Sequence, residues 1–341
     1  MPKKIEFMVT LWPSFEHFSD FANDSRITGI RLNSAMINNP ELEIEVQRLE
    51  QKPPKLPMYF DAKGRQPRIE QVIQCEDHLE LVMNHPLVLQ TPTEILFKGE
   101  VDRANVVKVC ENGRRLILEK YRPYWRVFPG ESIHVLQKNF FICGPTFTAI
   151  EKSKLEITRR AGFNNYFLSY VESQRDIDEF RELVGSTAKI MLKIETLKGL
   201  QFVSDKFKKT DDTVLVAARG DLFVEIQNPH IMPQALRLII DKDPEACVAS
   251  RLLLSIMDEQ LKYIHLVAKK TPNEQFDLDI FIEKIKNIKP GKPSCADICE
   301  LAWLTDIGYR SFMLCDELCL KRDLLGAAVD EFNAFIKLCR D

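Results

Sequence analysis

The stretch VLVAARGDLFVEI, Val214–Ile226, begins with a run of small and β-branched apolar residues. Such a run reads as a strand buried on both faces, as in a parallel sheet covered by helices. It stops at Arg219-Gly220-Asp221, and an apolar, helix-like segment follows. A buried strand that ends in a charged pair around a glycine has two readings. One is a plain turn. The other is a site at the carboxyl end of a barrel strand, with a carboxylate placed to hold a metal.

Strand-like and helix-like segments alternate outward from this stretch. Before it lie the strand KIEFMVTLW (Lys4–Trp12), the helix SFEHFSDFAN capped by Ser14, the strand TGIRLN, the helix PELEIEVQRLEQ opened by Pro40 and the strand LPMYFD. From Gln66 to Phe147 the pattern turns β-prone, with turn signals at Asn112-Gly113 and Pro129-Gly130. Alternation then resumes with the strands NYFLSYV, AKIMLKIE and TVLVAA, separated by helices, one of which ends at Gly185. Further on come the short strand ACVAS, the charged stretch Lys269–Ser294 read as a surface insertion, the helix CADICELAWLTD, the strand YRSFMLC and a terminal amphipathic helix. Eight strands alternating with helices predict a (β/α)₈ TIM barrel, with a doubly wound sheet as the runner-up. The expected organisation is barrel over 1–65, a small β-rich lid over 66–147 inserted after strand 3, and barrel again over 148–341.

Bulk composition excludes several classes. A formal charge of -3 gives no reason to expect nucleic acid. No stretch approaches the roughly 18 apolar residues of a membrane span, and the N-terminus enters a strand without a signal-peptide core. The cysteines lie scattered in apolar segments and read as reduced core thiols of a cytoplasmic protein. The pairs Cys295/Cys299 and Cys315/Cys319 are spaced by one helical turn without a CxxC or a histidine cluster, so they read as core packing rather than zinc ligands.

On a barrel, chemistry sits where strands end. The polar residues there are Arg31 and Asn33, Asp61 and Lys63, Lys193 and Glu195, Asp221, and Ser250. Lys193 and Glu195 are two apart on a strand, so they share a side. If Asp221 converges on Glu195, the two carboxylates suit Mg²⁺, which takes a few hard oxygen ligands plus substrate oxygens. Lys193 is then a point charge facing a phosphoryl group or an enolate oxygen. Taken singly, Lys-x-Glu is a solvated pair and Arg-Gly-Asp a turn; their shared place at consecutive strand ends is what marks a site.

These segments resemble the pyruvate kinase family, in order and across nearly the whole chain. TLWPS is similar to that family's TIGPAS, GIRLN to VARLNFSHG, DAKGRQPR to DTKGPEIR and LKIET to SKIEN. VAARGDLFVEI resembles VARGDLGVEI, the most specific match, and ACVASRLLLSIM and the segment Ser294–Leu314 continue the series. The resemblance implies that Arg31 contacts the transferred phosphoryl group and that Lys193 stabilises it. It implies that Glu195 and Asp221 bind Mg²⁺ (or Mn²⁺) and that the backbone at Ala218, Gly220 and Asp221 holds the substrate carboxylate. Ser250 stands where the family has a threonine near the enolate proton donor. Asn33 and Asp61 match ligands of a monovalent cation, K⁺ in this family, and Arg68 matches an arginine on the nucleotide side.

Departures cluster at one end. Ala35 removes an oxygen from the monovalent-cation site, Ala62 leaves only a backbone carbonyl, and Gln66 replaces a glutamate. Arg65 replaces a proline and would bring a fixed cation close by. Met36 or Ile37 stands where a nucleotide-binding histidine would be, Asp316-Glu317-Leu318 replaces GET, and PYWRVFPGESIHV lacks the family's DDG. The family's C-terminal domain has no counterpart, and a homodimer stays open. The expected activity is Mg²⁺-dependent phosphotransfer between phosphoenolpyruvate or pyruvate and ADP or ATP, in a cytoplasmic protein. A Mg²⁺-dependent enolate-forming lyase, aldolase or decarboxylase is the second reading, and a catalytically silent scaffold the third.

Overall fold

The computed structural model describes residues 4–97, 102–119, 127–137, 139–226, 228–270, 283–285 and 287–338. The first three strands are β1 (Glu6–Thr10), β2 (Gly29–Asn33) and β3 (Met58–Ala62). Eight antiparallel strands follow, from β4 (Ile69–Gln74) to β11 (Phe141–Ile142). The remaining five are β12 (Asn165–Leu168), β13 (Lys189–Ile194), β14 (Thr213–Ala218), β15 (Cys247–Ala249) and β16 (Ser311–Met313). β1 to β3 and β12 to β16 close a barrel in the order β1-β16-β15-β14-β13-β12-β3-β2. This is the TIM architecture expected from the alternation, and the doubly wound sheet is set aside. The antiparallel strands are inserted directly after β3.

By internal compactness the chain divides into two units: Met1–Ile30 with Pro54–Pro57 and Ala249–Asp341, and Arg31–Pro53 with Met58–Val248. In the first, β1 pairs parallel with β16, Phe7 opposite Phe312, and the Phe332 ring stacks on Phe7 at 4.0 Å. The helix expected over Ser14–Asn23 is a single turn, Phe18–Phe21, with no side-chain cap. Its approach runs through successive i to i+3 turns, Phe15 N–H to Trp12 and Phe18 N–H to Phe15, and the buried His17 is tied to the Cys319 carbonyl at 2.9 Å. Tertiary anchoring has overridden the helical pattern there.

In the second unit, β12 pairs parallel with β3 and β13, and β13 with β14. α2 (Asn39–Gln51) carries Pro40 in its first turn, and Asn38 and Glu41 form a capping box. α3 (Ala149–Arg160) has the same device in Thr148 and Glu151. α4 (Gln174–Val184) ends at Gly185, whose φ of 100° suits only glycine well. α5 (Leu197–Asp205) follows β13, and α6 (Arg219–Glu225) follows β14 at once.

The inserted strands, with β5 (Leu79–Met83), β6 (Leu87–Val88), β7 (Thr93–Phe97), β8 (Asp102–Cys110), β9 (Arg115–Leu118) and β10 (Ile133–His134) between β4 and β11, form a six-stranded antiparallel sheet, β10-β7-β8-β9-β5-β4, and a two-stranded one, β11-β6. Alternation builds its core: Leu79, Leu81 and Met83 on β5 (Leu79–Met83) meet Leu116 and Leu118 on β9 (Arg115–Leu118), with Ile95, Phe97, Val106 and Ile133. Each such side chain contributes about 1.5–3 kcal/mol relative to exposure. Asn112-Gly113 turns with both residues left-handed, and a Cβ on Gly113 would meet the Leu87 carbonyl oxygen at 2.5 Å.

None of the eight described cysteines is in a disulfide, but Cys295 and Cys299 are exposed, with sulfurs 3.8 Å apart. This corrects the core reading of that pair: both lie on the solvent face of Cys295–Asp306. Cys315 and Cys319 are buried as expected. Residues 271–282 and 286 of the stretch read as a surface insertion, and 123–126 of PYWRVFPGESIHV, lie outside the described residues. Among the described residues no helix is long and apolar enough to cross a membrane.

Candidate active site

Asp61 ends β3, fully buried, opposite Phe167 of β12. Its Oδ2 accepts from Arg31 Nε at 2.7 Å and from Lys63 Nζ at 2.8 Å, and Lys193 Nζ stands 3.9 Å away. Burial alone would raise the Asp61 pKa, but Lys193, Lys63 and Arg31 outweigh it and hold the carboxyl well below the usual range. Burial pulls Lys63 down to about 7, against the pull of Asp61.

Lys193 and Glu195 lie at the end of β13 and face the same side. Lys193 Nζ donates to Ser169 Oγ at 2.9 Å and pairs with Glu195 Oε1 at 2.7 Å. Burial disfavours the Lys193 charge, yet Asp61 and Glu195 raise its pKa overall. The other Glu195 oxygen, Oε2, accepts the Tyr170 N–H at 2.7 Å. Tyr170 has φ 59°, a left-handed conformation uncommon for a bulky residue, and this turns its amide onto the carboxylate. Burial, more than any neighbour, raises the Glu195 pKa.

Asp221 sits in the first turn of α6, where a negative charge complements the helix dipole. Its Oδ2 accepts from Gln66 Nε2 at 3.3 Å, and its Oδ1 lies 3.2 Å from His134 Nε2. His134 comes from β10 (Ile133–His134) of the inserted sheet, and its Nδ1 meets Glu225 Oε1 at 2.7 Å. The Tyr170 hydroxyl donates to the same Glu225 oxygen at 3.1 Å. Burial opposes a charge on His134, but Asp221 and Glu225 outweigh it and raise its pKa to about 10. Asp221 is in turn held well below the usual range: burial would raise it, and the His134 contact overcomes that.

The sequence-expected residues Arg31, Asp61, Lys193 and Glu195 thus form one linked cluster. Asp221 joins through the field it exerts on Lys193 and Glu195. The Asn33 side-chain oxygen accepts the Ala35 N–H at 3.1 Å. Arg68 is held by Gln66 Oε1, with Nε at 3.0 Å, and by the Gly130 carbonyl. Arg65, expected beside the cluster, instead donates to Thr146 at 2.8 Å and lies 3.6 Å from Asp176. The fixed cations on Asp61 are Lys63 and Arg31. Ser250 lies in the other compact unit, with φ 66° and its N–H on the Met313 carbonyl.

Four residues went unmarked in the sequence reading. Ser169 directly follows β12 and is a polar residue at a strand end like the others. Glu151 accepts the N–H groups of Lys63 and Gly64 at 2.9 Å each, and so fixes the loop after β3. Its sequence signal, the capping spacing after Thr148, speaks only of a helix start. Gly64 is needed there: a Cβ would lie 2.9 Å from the Ser169 carbonyl oxygen. His134 and Glu225 carry no spacing that marks them.

Glu195 Oε1 is buried and, despite its ion pair with Lys193, lies outside hydrogen-bond geometry; His134 Nε2 is in the same position toward Asp221. A carboxylate oxygen with spare acceptor capacity is a hard donor of the kind Mg²⁺ takes, so Glu195 Oε1 fits that ion, while the two Asp221 oxygens face Gln66 and His134. A cleft of about 1010 Å³ adjoins the site through Tyr170 and Glu225, walled by Phe140, Phe141, Thr196 and Lys198.

A family model described as "Pyruvate kinase, barrel domain" matches residues 133–258, which include His134, Lys193, Glu195 and Asp221. The pyruvate kinase of Kluyveromyces lactis is 25% identical over 214 residues, 54% of this chain and 41% of the relative. The chain is a distant homologue of the pyruvate kinases. Pyruvate kinase 2 of Saccharomyces cerevisiae is 25% identical over 240 residues, 62% of this chain and 47% of the relative. The pyruvate kinase of Agrobacterium vitis is 39% identical over 93 residues, 27% of this chain and 19% of the relative. This pyruvate kinase homologue therefore aligns with less than half the length of each of these relatives.

Proposed function

We propose that the chain is a Mg²⁺-dependent phosphotransferase acting on phosphoenolpyruvate or pyruvate, with ADP or ATP as the other partner. One observation carries this reading: a buried Lys193 ammonium, shared between Glu195 and Ser169, stands within 3.9 Å of Asp61 where Arg31 and Lys63 also converge. Three cations at one barrel mouth suit a multiply charged anion. Glu195 and Asp221 would hold Mg²⁺, which when bound supplies positive charge to the carboxylate and enolate oxygens of the substrate. Arg31 binds and orients the phosphoryl group. Lys193 neutralises the charge that spreads over its equatorial oxygens. The backbone at Ala218, Gly220 and Asp221 receives the carboxylate. Asn33 and Asp61 stand at the monovalent-cation positions, and Arg68 on the nucleotide side.

One observation favours the second reading, enolate chemistry without a nucleotide. Arg68 is already engaged by Gln66 and Gly130, and Met36, which is exposed, or Ile37 stands where the family has its nucleotide-binding histidine. Calorimetry with Mg²⁺ separates the two, using ADP, ATP, phosphoenolpyruvate and oxalate, a mimic of enolpyruvate. Binding of both oxalate and ADP supports the kinase. Oxalate binding alone supports a lyase. If Asp221→Asn leaves Mg²⁺-dependent oxalate binding unchanged, the metal assignment is wrong.

A further inference from the structure

The hairpin formed by β4 and β5 lies at the start of the inserted sheet, and its turn reads Cys75-Glu76-Asp77-His78. The register pairs Gln74 with Leu79 and Ile73 with Glu80, so the next pair outward is Cys75 with His78. The Cys75 N–H donates to the His78 carbonyl at 3.0 Å and closes that pair. Side chains two apart on a strand share a face, and directly paired residues face each other across the ladder. Cys75, His78 and Glu80 therefore stand on one face. Their sulfur, nitrogen and oxygen donors all lie within 4.8 Å of one another, the one such group of three among the described residues.

The surroundings are arranged as around a metal. His78 Nδ1 lies 2.7 Å from Asp77 Oδ1, which fixes the ring and directs Nε2 toward Glu80 Oε1 at 3.1 Å. A carboxylate on the far ring nitrogen is the usual support of a ligating histidine. The second Glu80 oxygen is held by Arg115 at 2.8 Å, which leaves Oε1 for another partner. Two donors bound to one tetrahedral Zn²⁺ at about 2.0–2.1 Å lie about 3.3 Å apart, close to the nitrogen–oxygen distance present. With all three donors within 4.8 Å, the sulfur needs a shift on the order of 1 Å at most to complete the set, within reach of a χ1 adjustment at a half-buried turn.

We propose that the β4–β5 hairpin binds a divalent transition metal of the Zn²⁺ class through Cys75 Sγ, His78 Nε2 and Glu80 Oε1, with a fourth position open to water. A thiolate, an imidazole and a carboxylate select Zn²⁺ or Co²⁺ over the hard Mg²⁺ suited to Glu195 and Asp221. The bound metal staples the hairpin across its turn, and this role is independent of the barrel chemistry.

The test is a titration of the chelator-treated full chain with Co²⁺. The expected result is thiolate-to-cobalt charge-transfer absorption with intense tetrahedral ligand-field bands, saturating at one metal per chain and abolished by Zn²⁺. Cys75→Ser should remove the charge-transfer band. Asp77→Ala, at an exposed supporting position, should weaken binding about tenfold. Cys295→Ser with Cys299→Ser should leave the signal intact, which separates the hairpin from the exposed cysteine pair. A charge-transfer band that survives Cys75→Ser would overturn the proposal. So would the lack of any band in wild-type protein at micromolar Co²⁺, which would leave His78 as a bridge between two carboxylates.

Discussion

Nε2 of His134, carried by the inserted sheet, stands 3.2 Å from Oδ1 of Asp221, the carboxylate in the first turn of α6. The ring is almost fully buried and also holds Glu225, so one imidazolium bridges two acidic groups of that helix. A buried cation between two carboxylates is stable only while charged, because the neutral ring would leave both acids with less compensation. Inserted sheet and barrel are thereby tied at the residue assigned to the metal.

The His134 contact makes stability depend on pH. Asp221 and Glu225, working against burial, raise the folded-state pKa from 6.5 to about 10. Between those values the folded chain binds a proton that the unfolded chain has released. The stabilisation is therefore complete below 6.5 and disappears as pH rises through about 10. In urea titrations, wild-type stability should fall across this window with a slope of up to about 1.4 kcal/mol per pH unit from this group. His134→Gln should flatten that slope. Parallel curves for the two proteins would show that the imidazole is not charged in the folded state.

Lys63 works in the opposite sense. Burial, only partly countered by Asp61, lowers its pKa from 10.5 to about 7. Between 7 and 10.5 the unfolded chain binds the extra proton, so this group makes stability rise with pH there. The Lys63 charge available to an anion at the β3 end is lost in the folded chain as pH rises through about 7. Phosphoenolpyruvate affinity should weaken as pH passes upward through about 7, and Lys63→Met should remove that step while lowering affinity throughout. A step that persists in the variant would assign the titration to another group.

Much of this was legible in the sequence. The run Val214–Ala218 marked a buried strand that ends close to a carboxylate, and Lys193-x-Glu195 marked two side chains facing one way. Period and spacing suffice for groups carried on the strands of a single sheet. The partners of those groups were not legible, because they come from far along the chain. His134 reaches Asp221 across 87 residues, and Glu151 reaches Lys63 across 88. Arg65 was expected at the cluster on sequence proximity to Asp61, yet its long side chain finds Thr146 and Asp176 instead. The exposure of Cys295 and Cys299 escaped for a related reason: helical spacing tells that two residues share a face, not whether that face is covered.

Asp61 bears on the monovalent cation. Arg31 and Lys63 both hold its Oδ2, and the Asn33 oxygen caps the Ala35 amide. The oxygens that would face K⁺ are thus engaged by the protein's own donors, and a fixed guanidinium can supply the positive charge. Phosphotransfer should change by less than about twofold when K⁺ is replaced by a bulky organic cation. Lys63→Met should make activity respond to K⁺. A strong K⁺ requirement in the wild type would show that the ion displaces Lys63 from Asp61.

Lys193 gives the decisive variant. Replacing it by methionine keeps the stem and removes the charge. Losing one partner of a buried ion pair typically costs about 3–5 kcal/mol, because the other charge is left uncompensated. Here the cost should be smaller, since burial already raises the Glu195 pKa and that carboxyl can take up a proton. Lys193→Met with Glu195→Gln provides the folded control that removes both charges. If Lys193 neutralises the phosphoryl group in transit, phosphotransfer in the single variant should fall by about 10³-fold or more. Exchange of pyruvate methyl protons with solvent needs charge mainly at the enolate oxygen, and should persist at a reduced rate in the presence of Mg²⁺. Equal loss of both activities would place Lys193 at the enolate rather than at the phosphoryl group. Wild-type protein that exchanges protons without any phosphotransfer would select the lyase, with the same lysine serving a different oxygen.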